Sequence, residues 1–261
     1  MENIKPYSVL SFIVGDYEVV HEIKEKSPNC EYILVTDNHS ITSSTWNVVY
    51  VDNPHPEDPF DLCFYVRYHP FEFVHSDIVI KIDGSMGVTG DLDKLVENFN
   101  NGGYEIALEL HPTRATMYDE YLAWVQQRNY PIEQANKCLA FMLQVEGYNV
   151  KEYKGLYQYN FMIQRRNKIN DDINRMTYSY IKYLAPEGKE IDRLDQTIGS
   201  FVINKYFNGL KVLPVSQSVC TTGTYFMWYA HGSNTPLSGN SANFAQPYLF
   251  NQPIDCVWVG E

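Results

Sequence analysis

The sequence predicts an α/β fold: a mostly parallel central sheet flanked by helices, in a single domain with an irregular C-terminal segment. Short apolar strands alternate with helical segments, which is typical of a sheet covered on both faces. Val and Ile dominate the strands, as they do where both faces of a strand are buried. With 261 residues, of which 44% are hydrophobic and 20% charged, the chain can bury one large core.

The first part of the chain predicts four strands and three helices. The strands are apolar runs at residues 8–14, 32–35, 46–51 and 78–82. The helices are an amphipathic segment that follows Asp16 and Tyr17 and ends at Lys26, and then residues 60–73 and 91–100. A connection rich in Pro precedes the second of these helices.

The rest of the chain predicts three more strands and four more helices. The strands cover residues 104–110, 158–164 and 211–215. The helices cover residues 117–128, 132–146, 167–184 and 193–207. From Cys220 onward the chain is rich in Gly, Ser, Asn, Pro and aromatic residues, which indicates irregular structure packed over a site.

The composition argues against several classes of protein. A formal net charge of −12 leaves no excess of positive charge for a general nucleic-acid binder. No apolar run approaches the ~18 residues of a membrane span, and the first residues lack the apolar core of a signal peptide. Five cysteines without close spacing indicate reduced thiols rather than disulfides or a zinc site. We therefore expect a cytoplasmic protein, with peripheral membrane contact left open.

The stretch from Asp77 to Ser85 carries the clearest functional signal. A buried strand runs directly into Asp83, at the carboxyl end where open α/β sheets place their ligands. Gly84 allows a sharp turn, and Ser85 supplies a second oxygen. Two such oxygens can share a divalent cation and, through it, a diphosphate. The alternative is a simple turn in which Asp83 accepts backbone hydrogen bonds.

Two other strand ends carry acids. Asp16 follows the first strand and Asp37 follows the second, so a parallel sheet would bring both to the same crevice as Asp83. Asp37 could accept hydrogen bonds from a base or ribose, and Tyr17 could stack on a base. The alternatives are an Asx turn at Asp37 and a helix cap at Asp16.

Four basic side chains are candidates for binding phosphate. Arg114 follows a strand and can pair with phosphate in a fork, while His111 can donate or exchange a proton. Arg67 and Lys81 are the other two, and Lys81 needs a partner because it lies inside an apolar strand. For His111 to Arg114 the alternative is a structural turn.

The order of these pieces resembles the GT-A glycosyltransferases, whose Asp-x-Asp motif follows a hydrophobic strand. Asp83 takes the first acidic position here, and Ser85 stands where the second acid usually does. The resemblance implies a GT-A-like, Rossmann-like domain over residues 1–219 that binds a nucleotide-sugar. It also implies a divalent metal, Mn²⁺ or Mg²⁺, and a segment, 220–261, that packs over the site within the same domain.

A second resemblance concerns residues 193–199, which are similar to the Asp-Gln segment of the retaining family 8 transferases. It implies that Asp195 holds sugar hydroxyls and that Gln196 lies near the anomeric carbon. Family 8 also has a late histidine that completes the metal shell, and His231 is the candidate here, although the lysine and tryptophan of that segment are not matched. The alternative for Asp195 is a carboxylate that favours the positive end of its helix.

The chain has a closer overall resemblance to a poorly characterised group of bacterial GT-A-like proteins. This resemblance rests on Arg67, the strand into residues 82–85, the turn from His111 to Arg114, and the late Asp195 and Gln196. It covers about residues 8–215.

These resemblances imply a glycosyltransferase of polysaccharide biosynthesis. It would move a sugar from a nucleotide-diphosphate-sugar donor to a glycan or small hydroxyl acceptor, with retention of configuration. The sugar would lie against Asp195, Gln196 and the edge from Glu109 to His111. An inverting enzyme would use Asp195 or Glu109 as general base. The alternative function is a non-catalytic nucleotide- or sugar-phosphate-binding protein of the same fold.

Overall fold

The computed structural model describes residues 4–127, 132–151, 155–185 and 194–237. Parts of the predictions above lie outside these residues: the last residue of the helix predicted over 117–128, the first residue of the segment 193–199, one of the five cysteines (Cys256), and the C-terminal segment from residue 238 onward. No helix in the described ranges is long and apolar enough to cross a bilayer.

The strands lie close to where the sequence predicts most of them. Their bounds are Tyr7–Ile13 (β1), Cys30–Thr36 (β2), Asn47–Tyr50 (β3), Ile78–Asp83 (β4), Met86–Val88 (β5), Ile106–Leu110 (β6), Tyr157–Arg165 (β7), Val212–Val215 (β8) and Phe226–Trp228 (β9). Every residue of β1 is buried, as expected for a strand covered on both faces.

The helices alternate with these strands. Their bounds are Pro59–Tyr68 (α1), Asp93–Asn101 (α2), Met117–Gln127 (α3), Ile132–Ala140 (α4), Lys168–Leu184 (α5), Leu194–Tyr206 (α6) and Ser218–Thr221 (α7). A 3₁₀ turn covers Pro70–Glu72, and a π-helical turn covers Phe141–Val145. Pro59 begins α1, where a missing N–H costs nothing, and the side chain of Asn167 caps α5 by accepting the N–H of Asn170.

The central sheet has seven strands in the order β3-β2-β1-β4-β7-β6-β8. Neighbours pair in parallel except at β7, which runs antiparallel to both β4 and β6. The predicted α/β fold with a mostly parallel sheet is therefore confirmed. The chain builds β1, β2 and β3 in one direction and then places β4 on the other side of β1. This reversal puts the topological switch point between β1 and β4.

The hydrophobic core lies on both faces of the sheet. Along β1, Val9 and Ile13 pack on one face, with β5, α2 and β9, while Leu10 and Phe12 pack on the other, against α1. A further cluster joins β6 and β7 to α3–α6. Both faces are covered, so the strands are held rigidly and their carboxyl ends form a fixed edge.

The predicted helix that ends at Lys26 is wrong. Residues 14–29 contain neither helix nor strand. The N–H of Ile23 donates to Thr45 Oγ1 (2.9 Å), and the N–H of Lys24 donates to the Val88 carbonyl (3.1 Å). The carbonyl of His21 accepts the indole N–H of Trp46 (2.9 Å). These tertiary bonds occupy backbone groups that a helix would need, so they override the local pattern.

The segment after Cys220 is also more regular than predicted. β9 pairs antiparallel with β5 in a separate two-stranded ribbon. Strands this short carry no usable hydrophobic period, so the sequence did not reveal them. The predicted helix over residues 60–73 ends early at Tyr68, because Pro70 cannot continue an α-helix.

Candidate functional site

A cavity of about 370 Å³ opens at the carboxyl edge of the sheet, beside the switch point between β1 and β4. Its wall is built from the ends of β1 and β4, from α1, β7 and the start of α6, and from residues 228–237. The lining side chains are Phe12, Tyr17, Phe60, Cys63, Phe64, Arg67, Asp83, Ser85, Arg114, Gln158, Tyr159, Asn160, Asp195, Gln196, Trp228, His231 and Leu237.

One part of this wall is aromatic. Phe12 lies near the end of β1, Phe60 and Phe64 lie on α1, and Tyr17 and Trp228 are further aromatic residues of the lining. Flat rings of this kind suit the faces of a base or a sugar. Tyr17 is on the wall as the sequence predicts, whereas the other four were not singled out.

Arg67 is the central charged residue of the cavity. It lies in the last turn of α1 and forms ion pairs with Asp83, at the end of β4, and with Asp195, in the first turn of α6. Its guanidinium also lies over the ring of Phe12, 5.3 Å from the centroid. Burial is the largest single effect and lowers the pKa of Arg67, but the charge of Asp83 and smaller effects of neighbouring groups together outweigh it, so the pKa is raised.

The pKa of Asp83 is subject to two opposing effects. Burial raises its pKa above the ordinary value, while the charges of Arg67 and His231 act to lower it. Asp195 is held by its own turn as well as by Arg67, since its Oδ1 accepts the N–H of Gln196 at 2.8 Å. One guanidinium thus fixes two acids from different elements on the cavity wall.

Lys81 lies beneath α1 rather than on the cavity wall. Its Nζ donates to the carbonyl of Arg67 at 2.8 Å. Burial, and then the charge of Arg67, lower the pKa of Lys81 well below its ordinary value. Lys81 therefore supports the last turn of α1, which carries Arg67.

Arg114 reaches the cavity from a buried network. It pairs with Glu120 on α3 and with the ring of His111. The other oxygen of Glu120 accepts the indole N–H of Trp124 at 2.8 Å. His111 is buried, and its Nδ1 accepts the N–H groups of Thr113 (3.2 Å) and Arg114 (3.1 Å). His111 therefore stabilises the turn that places Arg114 at the cavity wall.

Asp16 and Asp37 lie at the same edge of the sheet but are not among the lining residues of the described cavity. Asp37 Oδ1 accepts the N–H of Gly15 at 2.8 Å, and its Oδ2 accepts the side-chain N–H of Asn53 at 3.0 Å. Asp16 accepts the side-chain N–H of Asn38 at 2.6 Å. Asp37 thus ties together the ends of β1 and β2.

The predicted metal ligands, Asp83, Ser85 and His231, all line the cavity. Their donor atoms have other partners, however. Asp83 pairs with Arg67, Ser85 Oγ accepts the indole N–H of Trp228 at 3.1 Å, and His231 pairs with Glu18. Within the described ranges, no group of three or more His, Cys, Asp or Glu side chains could hold a metal ion. A single carboxylate already neutralised by Arg67 fits Mn²⁺ or Mg²⁺ poorly.

Glu18 anchors the segment that closes one side of the cavity. Its side chain is fully buried, pairs with His231, and accepts the N–H of Gly232 at 2.9 Å. Nearby, the ring of His21 stacks on Tyr229 at a centroid distance of 4.0 Å. Glu18 and His21, which lie in the segment predicted as helix, therefore hold His231 and Tyr229 in place.

Sequence reasoning missed the polar residues that β7 contributes. Gln158 and Asn160 line the cavity from the first half of a buried strand. Glu109 was named from the sequence, but it lies buried beside Asn160 and Cys220, behind the lining residues. The available signal was the pair of amides alternating with tyrosines in an otherwise apolar strand.

No family model matches the chain, and no curated protein matches it either. Its function has to be inferred from the chemistry of the cavity.

Proposed function

We propose that the protein is a glycosyltransferase with a GT-A-like fold, which moves a sugar from a nucleotide-diphosphate-sugar donor to a hydroxyl acceptor. The observation that carries the proposal is the position of Arg67 between Asp83 and Asp195, in a cavity at the topological switch point of the sheet. Open α/β sheets bind their ligands at this point.

The wall of the cavity fits the parts of such a donor. Its volume of about 370 Å³ lies within the range of small-molecule sites. The rings of Tyr17, Phe60 and Trp228 offer stacking surfaces for a base. Arg67 and Arg114 offer guanidinium groups to a diphosphate. Asp195 and Gln196 offer polar atoms to a sugar.

The chemical task is to stabilise the negative charge that builds up on the leaving diphosphate. Fixed cationic donors do this well where water is excluded, because they need no reorganisation during the reaction. Arg67 is held in place by its two acids, and Arg114 by Glu120 and His111. We assign this role to the two guanidinium groups. Retention of configuration is the expected outcome, since both acids on the described wall are already bonded to Arg67.

A non-catalytic nucleotide- or sugar-phosphate-binding protein is the second candidate. The observation that favours it is the charge balance of the described cavity. Arg67 is matched by Asp83 and Asp195, and Arg114 is matched by Glu120. A site of this kind can bind a ligand firmly and still lack the surplus charge that the transition state requires.

Calorimetric titration with a panel of nucleotides and nucleotide-sugars, with and without Mn²⁺, tests the proposal. We expect one diphosphate-sugar to bind, with little dependence on Mn²⁺. Release of the nucleoside diphosphate in the presence of mono- and oligosaccharides then measures turnover. Binding without turnover would favour the second candidate, and failure of every nucleotide-sugar to bind would overturn the proposal.

The variant Asp195→Asn separates binding from catalysis. We expect it to lower turnover by about 100-fold, because a carboxylate beside the sugar stabilises the positive charge that develops on the anomeric carbon in the transition state. Its affinity for the nucleoside diphosphate should change little. Asp172→Asn is the matched control, since Asp172 pairs with Lys168 and Arg175 on the outer face of α5. Equal turnover in the two variants would remove Asp195 from the site.

A further inference from the structure

An irregularity in β7 shapes the floor of the cavity. Leu108 of β6 is paired with Met162, but the next residue, Glu109, is paired with Gln158. Residues 159–161 therefore have no register partner on β6. A bulge of this kind bends a strand and re-aims its side chains, and such bulges occur next to functional sites. Here it turns Tyr159 and Asn160 to the cavity wall.

The polar atoms at this bulge lack hydrogen-bond partners of good geometry among the described residues. They are Oε1 of Gln158, both polar side-chain atoms of Asn160, and both carboxyl oxygens of Glu109. Gln158 is 6% exposed, Asn160 is 8% exposed and Glu109 is fully buried. Buried polar groups are costly unless they are hydrogen-bonded, so a cluster of unsatisfied ones indicates that something else satisfies them.

We propose that Gln158 and Asn160 form a subsite that binds the hydroxyl groups of a sugar ring, with Glu109 behind them as a positioning residue. The subsite deepens the proposed function and rests on it. It assigns the sugar part of the donor to the bulge of β7, next to Asp195 and Gln196.

The chemistry of the cluster favours neutral hydroxyl groups over phosphate. An amide side chain offers both donors and acceptors, and a hydroxyl group can satisfy either. A phosphate offers only acceptors, and it would meet the acceptor oxygens of Gln158 and Asn160 unfavourably. Burial raises the pKa of Glu109 to about 7, against smaller opposite effects of Cys220 and Asn160. A protonated Glu109 could also donate a hydrogen bond to the Asn160 amide oxygen.

Binding measurements with Asn160→Ala and Gln158→Ala test the subsite. For the nucleotide-sugar that the wild type binds, we expect each variant to lose about tenfold in affinity, the value of one good hydrogen bond. The affinity for the matching nucleoside diphosphate should stay unchanged. Asn100→Ala, at an exposed position of α2, is the control. Thermal unfolding of each variant checks that it folds.

The role of Glu109 is tested with Glu109→Gln and Glu109→Ala. Gln preserves both the shape and a donor, so it should keep the affinity for the nucleotide-sugar. Ala should lose it to the same extent as Asn160→Ala. Equal affinity in Glu109→Ala and the wild type would remove Glu109 from the subsite.

The outcomes for the subsite and for the proposed function are distinct. If the wild type binds a nucleotide-sugar and neither amide variant weakens it, the subsite is wrong and the proposed function stands. If the wild type binds no nucleotide-sugar, the proposed function fails. Saturation-transfer NMR with free monosaccharides then decides the subsite alone: signals that Asn160→Ala abolishes support it, and the absence of signals overturns it.

Discussion

Arg67 and Asp195 stand 128 positions apart in the sequence, and their side chains form a buried ion pair at the cavity wall. The pair joins the last turn of α1 to the first turn of α6. Because Arg67 also holds Asp83, this one side chain connects three elements at the edge of the sheet. The chemistry of the cavity and the packing of the fold therefore depend on the same residue.

Removing Arg67 should destabilise the protein. Arg67→Met would leave Asp83 and Asp195 facing each other without a cation, and breaking a buried pair in this way costs about 3 kcal/mol or more. Urea unfolding at pH 7 measures the loss. The deficit should shrink as the pH falls, because the two acids then become protonated.

A charge-matched triple variant separates this structural role from ligand binding. Arg67→Met combined with Asp83→Asn and Asp195→Asn removes both the cation and the acids. We expect it to recover most of the free energy of unfolding, since no unpaired charge remains, while diphosphate binding stays lost. Recovery of binding along with stability would contradict the assigned role of Arg67.

The stability of the protein should also depend on the protonation of Glu109. Burial raises the pKa of Glu109 from 4.5 to about 7, with Cys220, Asn160 and Asp83 as its neighbours. Between these values the folded protein keeps a proton that the unfolded chain has released. The free energy of unfolding therefore falls as the pH rises through this window, by about 3 kcal/mol at most.

Glu109→Gln tests this dependence because an amide does not titrate. The variant should match the wild type near pH 5 and be more stable at pH 8. Urea unfolding curves at the two values give the comparison. A wild type and variant with the same pH profile would show that Glu109 is ionised in the folded protein with an ordinary pKa.

Gly199 makes a close contact between α6 and the bulge of β7. A Cβ at this position would lie 2.1 Å from the hydroxyl of Tyr159. Alanine normally stabilises a helix by about 1 kcal/mol relative to glycine, but overpacking a core costs about 1–3 kcal/mol. We expect Gly199→Ala to lower the melting temperature and to weaken nucleotide-sugar binding by displacing Tyr159.

The matched control for this contact is Gly209→Ala. Gly209 follows α6, and a Cβ at this position would have no heavy atom of the described residues within 4 Å, apart from its chain neighbours. Its substitution should leave the melting temperature and binding unchanged. If Gly199→Ala behaves in the same way as Gly209→Ala, Tyr159 can move without cost and does not shape the cavity.

Most of the sheet could be predicted from the sequence because each strand is marked by a continuous apolar run that is rich in Val and Ile. The same pattern located Asp83, since it ends a buried strand. The lining residues of β7 could not be found in this way. The alternation of amides and tyrosines marks this stretch as unusual, but the position of Asn160 at the cavity depends on a bulge, which is a register relationship between β6 and β7 that the local sequence does not show.

Residues 14–29 show a different kind of error: a local pattern that predicts a helix is present, but tertiary contacts prevent the helix from forming. Their spacing of apolar residues favours a helix, yet Glu18 is bonded to His231 and Gly232, more than 200 positions away in the chain. A buried carboxylate needs such partners. The competing contacts come from a distant segment, so no window of sequence around Glu18 reveals them.

We expect the hydrogen bond between Glu18 and Gly232 to stabilise residues 226–237 locally. Glu18→Ala would remove the acceptor of the Gly232 N–H and the partner of His231, at a cost of about 1–3 kcal/mol. Amide hydrogen exchange at Gly232 should speed up by at least tenfold, while exchange in β1 and β4 stays unchanged. Glu25→Ala, at an exposed position of the same stretch, is the control. Unchanged exchange at Gly232 would show that the ribbon of β5 and β9, rather than Glu18, holds this side of the cavity.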